Sequence, residues 1–262
     1  MKKVIYLLLF YIFCVFVLVP SAISEAQQQI RISYFNVPPF IIYDTNQNQL
    51  KGGALYEFLE QQIAPEIDVK FIWDKDPSSI PRQMESISNG STDAIALLSY
   101  TPQRAQTMAF TATPFFISSP GIAILKNNKL NVVEKVDDIL GLRIGYGKNL
   151  YKTPFMRDKR INFDLVATEN YSEQNFKKLM AGRIDAVYAP DLASLLAVIE
   201  NLGIGNSVKV IKLPDTPSAN HVVFARDMAY MALRYDRAFN RINGAETFLK
   251  ILGKYVDIAK LK

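Results

Sequence analysis

The residues with the clearest chemical potential lie at 99–104, Ser-Tyr-Thr-Pro-Gln-Arg. Thr101 is a good N-cap and Pro102 suits a first helical position. Arg104 then falls where a capping box would carry Glu or Gln. A helix N-terminus already bears roughly half a positive charge, so the backbone field opposes a guanidinium there. An anion brought from outside would relieve that opposition, meeting backbone N–H groups and the planar fork of Arg104 together. A carboxylate is the simplest such anion, and Ser99 and Thr101 would border it. The competing reading is an exposed Arg whose long stem carries its charge away from the helix.

Other chemistries are poorly supplied. Cys14 is the single cysteine and sits in the leading apolar run. That leaves the rest of the chain without disulfides, Cys-ligated zinc or a thiol nucleophile. His221 is the single histidine, and without partner histidines no metal site is expected. No cofactor is expected either, because "GYGKN" lacks the G-x-G-x-x-G spacing of a dinucleotide fingerprint. Lys148, Lys152, Arg157, Lys159 and Arg160 form a loose basic cluster. The formal net charge is only +5 and is spread without long runs. Neither a nucleic-acid stripe nor a polybasic membrane patch results.

The elements that must position these residues alternate between strand and helix. "IRISYF" (30–35), "VKFIW" (69–73) and "DAIALL" (93–98) read as strands. "GALYEFLEQQI" and "SSIPRQMESISNG" read as helices, the second stopping near Asn89 and Gly90. The later half repeats the grammar with "LRIGYG", "SEQNFKKLMAGR", "IDAVYA" and "DLASLLAVIENLG", the last with Asp191 as N-cap. Such alternation implies a mostly parallel sheet covered on both faces. "MESISNGSTDAIALLSYTP" and "FKKLMAGRIDAVYAPD" echo each other: helix, Gly, two residues, Asp-Ala, strand, Pro. The echo predicts two similar lobes, each offering a strand C-terminus to a shared space. "GIAILK" (121–126) and "SVKVIKL" (207–213) are the extended stretches between them. A chain that builds one lobe, leaves it and returns must cross twice, which makes a hinge and a cleft.

The first residues have a different character. Lys2 and Lys3 precede an apolar run from Val4 to Val19, then Pro20 and "SAISEA". This pattern predicts a cleaved signal peptide over residues 1–26, with cleavage after Ala26. Export and the lack of a lipoprotein box before Cys14 point to the periplasm.

"NGSTDAIALLSYTPQRAQTMAFTATPFFISSPGIAIL" resembles the family 3 extracellular solute-binding proteins, periplasmic receptors of polar amino-acid ABC importers. Gly90, Asp93, Ser99, Thr101, Arg104, Phe110 and Phe115 occupy the matching places. "AGRIDAVYAPD" resembles the family's second-lobe signature, and "IRISYFNVPPF" its opening strand and Pro-Phe loop. The resemblance implies a two-lobed α/β fold of the type II periplasmic-binding-protein kind. Its first lobe would take residues 27–120 and 214–262, and the hinge strands and second lobe 121–213. It implies a monomer without cofactor that hands a small carboxylated solute to an inner-membrane ABC permease. Arg104 would clamp the carboxylate, Ser99 would bond nearby, and Phe40 with Phe115–Phe116 would wall the pocket. The family's Gly-Thr-Thr loop is here Asn149-Leu150-Tyr151, which brings Asn149 into the expected site. The family's ammonium-binding Asp is Pro190 here; Asp191, one residue on, either replaces it or serves only as a cap. Two other outcomes stay open: an enzyme resembling cyclohexadienyl dehydratases, with Glu57, Glu169, Asp191 or His221 as general acid, and an orphan ligand sensor.

Overall fold

The computed structural model describes residues 27–148, 150–168 and 170–261. The expected signal peptide lies outside the described residues. The chain opens with β1 (Gln28–Ser33), then the hairpin of β2 (Ile42–Asp44) and β3 (Gln49–Gly52). Helix α1 (Ala54–Phe58) runs on through a π-helical stretch, Leu59–Ile63, to Ala64–Glu66. β4 (Val69–Trp73), α2 (Ile80–Ser88), β5 (Ala94–Ser99), the single turn α3 (Pro102–Ala105), β6 (Met108–Phe110) and β7 (Phe116–Ser118) complete the outward path. The second lobe holds β8 (Gly121–Leu125), β9 (Arg143–Gly147), β10 (Asn162–Val166), α4 (Tyr171–Met180), β11 (Ala186–Ala189), α5 (Leu192–Asn201) and β12 (Val208–Lys212). The chain returns through β13 (Ser218–Ala225), α6 (Ala229–Arg241) and α7 (Gly244–Leu252).

Two sheets result. The first runs β4-β1-β5-β13-β6, with β7 also on β13; the second runs β10-β9-β11-β8-β12. Strands joined through helices are parallel, as the alternation predicts: β1 with β4 and β5, β9 with β10 and β11. β8, β12 and β13 pair antiparallel, so both sheets are mixed. The cause is the double crossing. The outgoing and returning chains lie side by side, with Ser118 opposite Ser218 in one sheet and Gly121 opposite Lys212 in the other. Leu213 N–H donates to Pro120 O (3.0 Å) between the two registers.

Side-chain alternation gives each sheet two apolar faces. Ala94 and Ala96 face one core of the first lobe, Ile95 and Leu98 the other. In the second lobe Ile144, Tyr146 and Tyr188 share one core, and Val187 joins Ala123 and Phe176 in the other. Burial on both faces explains why these strands read as near-continuous apolar runs.

The internal echo has a physical basis. Gly90 and Gly182 end their helices with φ of +76° and +67°, the left-handed cap conformation that glycine adopts without strain. Three residues later, Asp93 Oδ2 accepts from Arg31 N–H and Asp185 Oδ2 from Arg143 N–H, each at 2.8 Å. In return Arg31 O accepts from Asp93 N–H (2.9 Å) and Arg143 O from Asp185 N–H (2.8 Å). Each lobe thus locks its third parallel strand to its first with the same reciprocal pair, and so fixes where that strand ends.

Candidate functional site

Both locked strands end at the cleft, and each is followed by an N-capped turn. In lobe 1, Thr101 Oγ1 accepts from Arg104 N–H at 3.2 Å. In lobe 2, Asp191 Oδ1 accepts from Ser194 N–H at 2.6 Å. Leu192 N–H donates to Ser119 O at 2.9 Å, which ties the second turn to the hinge. Arg104, Asp191 and Ser194 line one interlobe cavity of about 60 Å³, together with Ser99, Phe40 and residues of both sheets.

The structure corrects one part of the reading of Arg104. α3 is one turn long, too short to sum into a macrodipole. Backbone repulsion is therefore not the reason Arg104 stands alone. Its Nη1 donates to Ser99 O at 2.8 Å, which holds the half-buried guanidinium beside the strand end. No ion pair among the described residues includes Arg104. Burial lowers its pKa, and the neighbouring Tyr151 opposes that shift. Five donors on a fork that cannot lose its charge thus make one side-chain bond among the described residues.

Asp191 is the complementary case. It is 7% exposed and pairs with no cation among the described residues. Burial pushes its carboxyl up to about 6, against the Ser194 hydrogen bonding that holds it down. Between the two charges lies a polar floor: Ser218 Oγ donates to Ser99 Oγ and Ser99 Oγ to Asn220 Oδ1, both at 3.3 Å. The remaining wall is aromatic. Phe35 and Phe40 come from lobe 1, and Tyr146, Tyr151, Tyr171 and Tyr188 from lobe 2.

The other expected site residues divide. Phe40 lines the cavity, its loop held by Ala54 N–H on Pro39 O (2.8 Å) and Leu55 N–H on Phe40 O (2.9 Å). Phe115 is core: 2% exposed, 5.0 Å from Phe248 between ring centres, and outside the cavity lining. The rings of Phe40 and Phe248 pack on it and absorb it. Thr101 acts as a cap and does not line the cavity. Asn149 lies outside the described residues, as does Glu169. Glu57 is paired with Lys254 and Tyr255, and His221 Nδ1 lies 2.8 Å from Thr111 O. Neither lines the cavity, so of the three described general-acid candidates only Asp191 is placed there.

Sequence reading missed the four tyrosines and Ser194. Tyr146 and Tyr188 sit in buried strands and look like core from their neighbours. Their hydroxyls are the usable signal, since a buried tyrosine needs a partner. Tyr146 donates to Tyr151 O at 2.5 Å, and Tyr188 accepts from Thr153 N–H at 3.1 Å.

Two further cavities share lining residues with it. One, about 590 Å³, lies between the 36–46 loop and the ends of α4 and α5. The other, about 310 Å³, is bordered by Pro77, Pro81 and Val166, with Lys148 at its edge. Tyr171 lines all three spaces. Among the described residues no group of three His, Cys, Asp or Glu could hold a metal, and no helix is long and apolar enough to cross a membrane.

Two mixed α/β lobes, a double crossing and a polar cleft between them define a two-lobed binding protein of the type II periplasmic class. The profile of the bacterial extracellular solute-binding proteins, family 3, matches residues 30–258, and the chain belongs to that family. That membership makes solute binding, not catalysis, its activity. A search of curated proteins returns no match. Among solved structures, an ancestral arginine-binding protein bound to arginine is 20% identical with a TM-score of 0.70, covering 87% of this chain and 98% of that one. The amino acid ABC transporter substrate-binding protein AbpA of Streptococcus pneumoniae, bound to L-arginine, is 16% identical at 0.71, covering 87% and 94%. The periplasmic VFT2 domain of Bordetella pertussis BvgS is 15% identical at 0.71, covering 87% and 93%. At these identities the likeness is one of fold.

Proposed function

We propose that the protein is a periplasmic receptor that closes its lobes on a small, amino-acid-like carboxylate and passes it to an ABC permease. Arg104 carries the reading: a guanidinium at the cavity wall, held by a backbone carbonyl, with no acidic partner among the described residues. A solute carboxylate would take its free fork in a bidentate pair, and Ser99 would bond beside it. Asp191 would accept an N–H from the solute across the cleft. Each charge belongs to a different lobe, so a solute bearing both groups binds the closed form better than the open one. That difference is what drives closure. The importer as partner is supported by family membership and by the printed role of the AbpA relative. The signal-like segment before Gln27 supports the compartment.

Titration calorimetry of the protein against L-amino acids and other short carboxylates tests the reading. At least one should bind with a micromolar dissociation constant, about −8 kcal/mol. A full panel without heat at millimolar solute would contradict it.

A further inference from the structure

Among the described residues, the charged side chains lining the central cavity are Arg104 and Asp191. The reading above assigns both, one to the solute's carboxylate and one to its amine. No further charge among those residues is left in the cavity for a solute side chain. Neutral polar groups there are engaged as well. Ser99, Ser218 and Asn220 bond one another, and the Tyr146 and Tyr188 hydroxyls bond Tyr151 O and Thr153.

The two neighbouring cavities differ in what they share with the central one. The larger shares Val37, Tyr171, Ser172 and Ser194 with it. Its glutamates, Glu173 and Glu200, line that outer space and not the central cavity. The smaller shares Phe35, Ile80, Leu150 and Tyr171, which are all aliphatic or aromatic. Phe35 and Ile80 belong to lobe 1, Leu150 and Tyr171 to lobe 2, so both lobes build this seam. All four are half-buried. Phe35, Ile80 and Leu150 rest on three different hydrophobic cores, which hold them from behind. Their cavity side is apolar surface that a solute would take out of water. A charged side chain laid there would lose hydration and gain no partner. Lys148 is the single charge among the described residues lining the smaller space.

We propose that the solute is an α-amino acid with a large, uncharged, apolar side chain, which lies on the seam of Phe35, Ile80, Leu150 and Tyr171. This rests on the carboxylate reading of Arg104 given above, and it makes those four residues determinants of specificity.

Calorimetry with L-phenylalanine, L-leucine, L-arginine, L-lysine and L-glutamate tests it. The tighter of the two apolar amino acids should bind about tenfold or more tightly than each charged one. Ile80 opens α2, where an acidic residue suits the helix N-terminus, so Ile80→Glu charges the seam with the melting temperature retained. That variant should weaken the apolar amino acid about tenfold or more and should not weaken L-arginine. Leu150→Ala, on the facing lobe, should also weaken the apolar amino acid and spare L-arginine. A charged amino acid that binds within tenfold of the apolar pair, or apolar binding that both variants leave in place, overturns the proposal. The carboxamide of the tightest binder separates the two readings. A charged amino acid that binds tightest and loses its binding as the amide refutes the seam and keeps the Arg104 clamp. An amide that binds as well as its acid refutes the clamp and the proposal with it.

Discussion

Thr101 in lobe 1 and Asp191 in lobe 2 follow equivalent strands and cap equivalent turns, each accepting the backbone N–H three residues on. Their surroundings differ in what else the turn must carry. In lobe 1 the cap is neutral and the charge sits at the third position, on Arg104, steadied by Ser99 O. In lobe 2 the cap itself is charged, buried, and tied through Leu192 N–H to the hinge at Ser119. Lobe 1 can therefore lose its charge and keep its turn. Lobe 2 cannot lose its charge without touching fold stability.

The largest expected effect of breaking this comparison is in lobe 1. Arg104→Ala should lower solute affinity 100-fold or more, about 3 kcal/mol, with little change in melting temperature. Arg104→Lys should recover only part of that, because a point charge cannot replace the fork. Calorimetry and melting curves on both variants would check this.

Asp191 is expected to move stability instead. Its pKa is raised from the usual 3.8 to about 6 in the fold. Its contribution is thus fully present below pH 3.8 and lost as pH rises through about 6, on the order of 2–3 kcal/mol. Asn caps as well as Asp. Asp191→Asn should flatten urea-unfolding stability between pH 4 and 6, whereas an unchanged pH profile would show that the charge is already compensated.

Smaller effects sharpen the equivalence of the lobes. Thr101→Ala should cost about 1 kcal/mol and Thr101→Ser much less, since only the accepting oxygen matters. Asp93→Ala and Asp185→Ala should cost alike, each about 1–2 kcal/mol for the lost lock. Asp93 would exceed Asp185 by at most about 1 kcal/mol, because its extra pair with Arg31 is half exposed. A much larger gap in chemical denaturation would mean the echo is not a shared device.

Much of this was legible in the sequence because it follows from local pattern. Apolar runs marked the strands, Gly90 and Gly182 the helix ends, and Thr-x-x-Arg the first cap. Which residues line the cavity was legible where one short segment supplies them, as with Ser99, Arg104 and Asp191. It was not where burial depends on partners far along the chain. Phe115 reads as a pocket wall until Phe248, distant in sequence, claims it for the core. Tyr146 and Tyr188 read as core until the lobes meet over them. The length of α3 was also hidden, because Thr107 and β6 end the helix after a turn that starts like a long one.

The most direct test is a thermal-shift comparison of carboxylates with their matched carboxamides, run on the wild type and on Arg104→Ala. A carboxylate that raises the wild-type melting temperature while its amide does not, with the rise absent in Arg104→Ala, is the predicted result. An equal rise with both compounds, or one that survives the loss of Arg104, would contradict a cleft organised around that guanidinium.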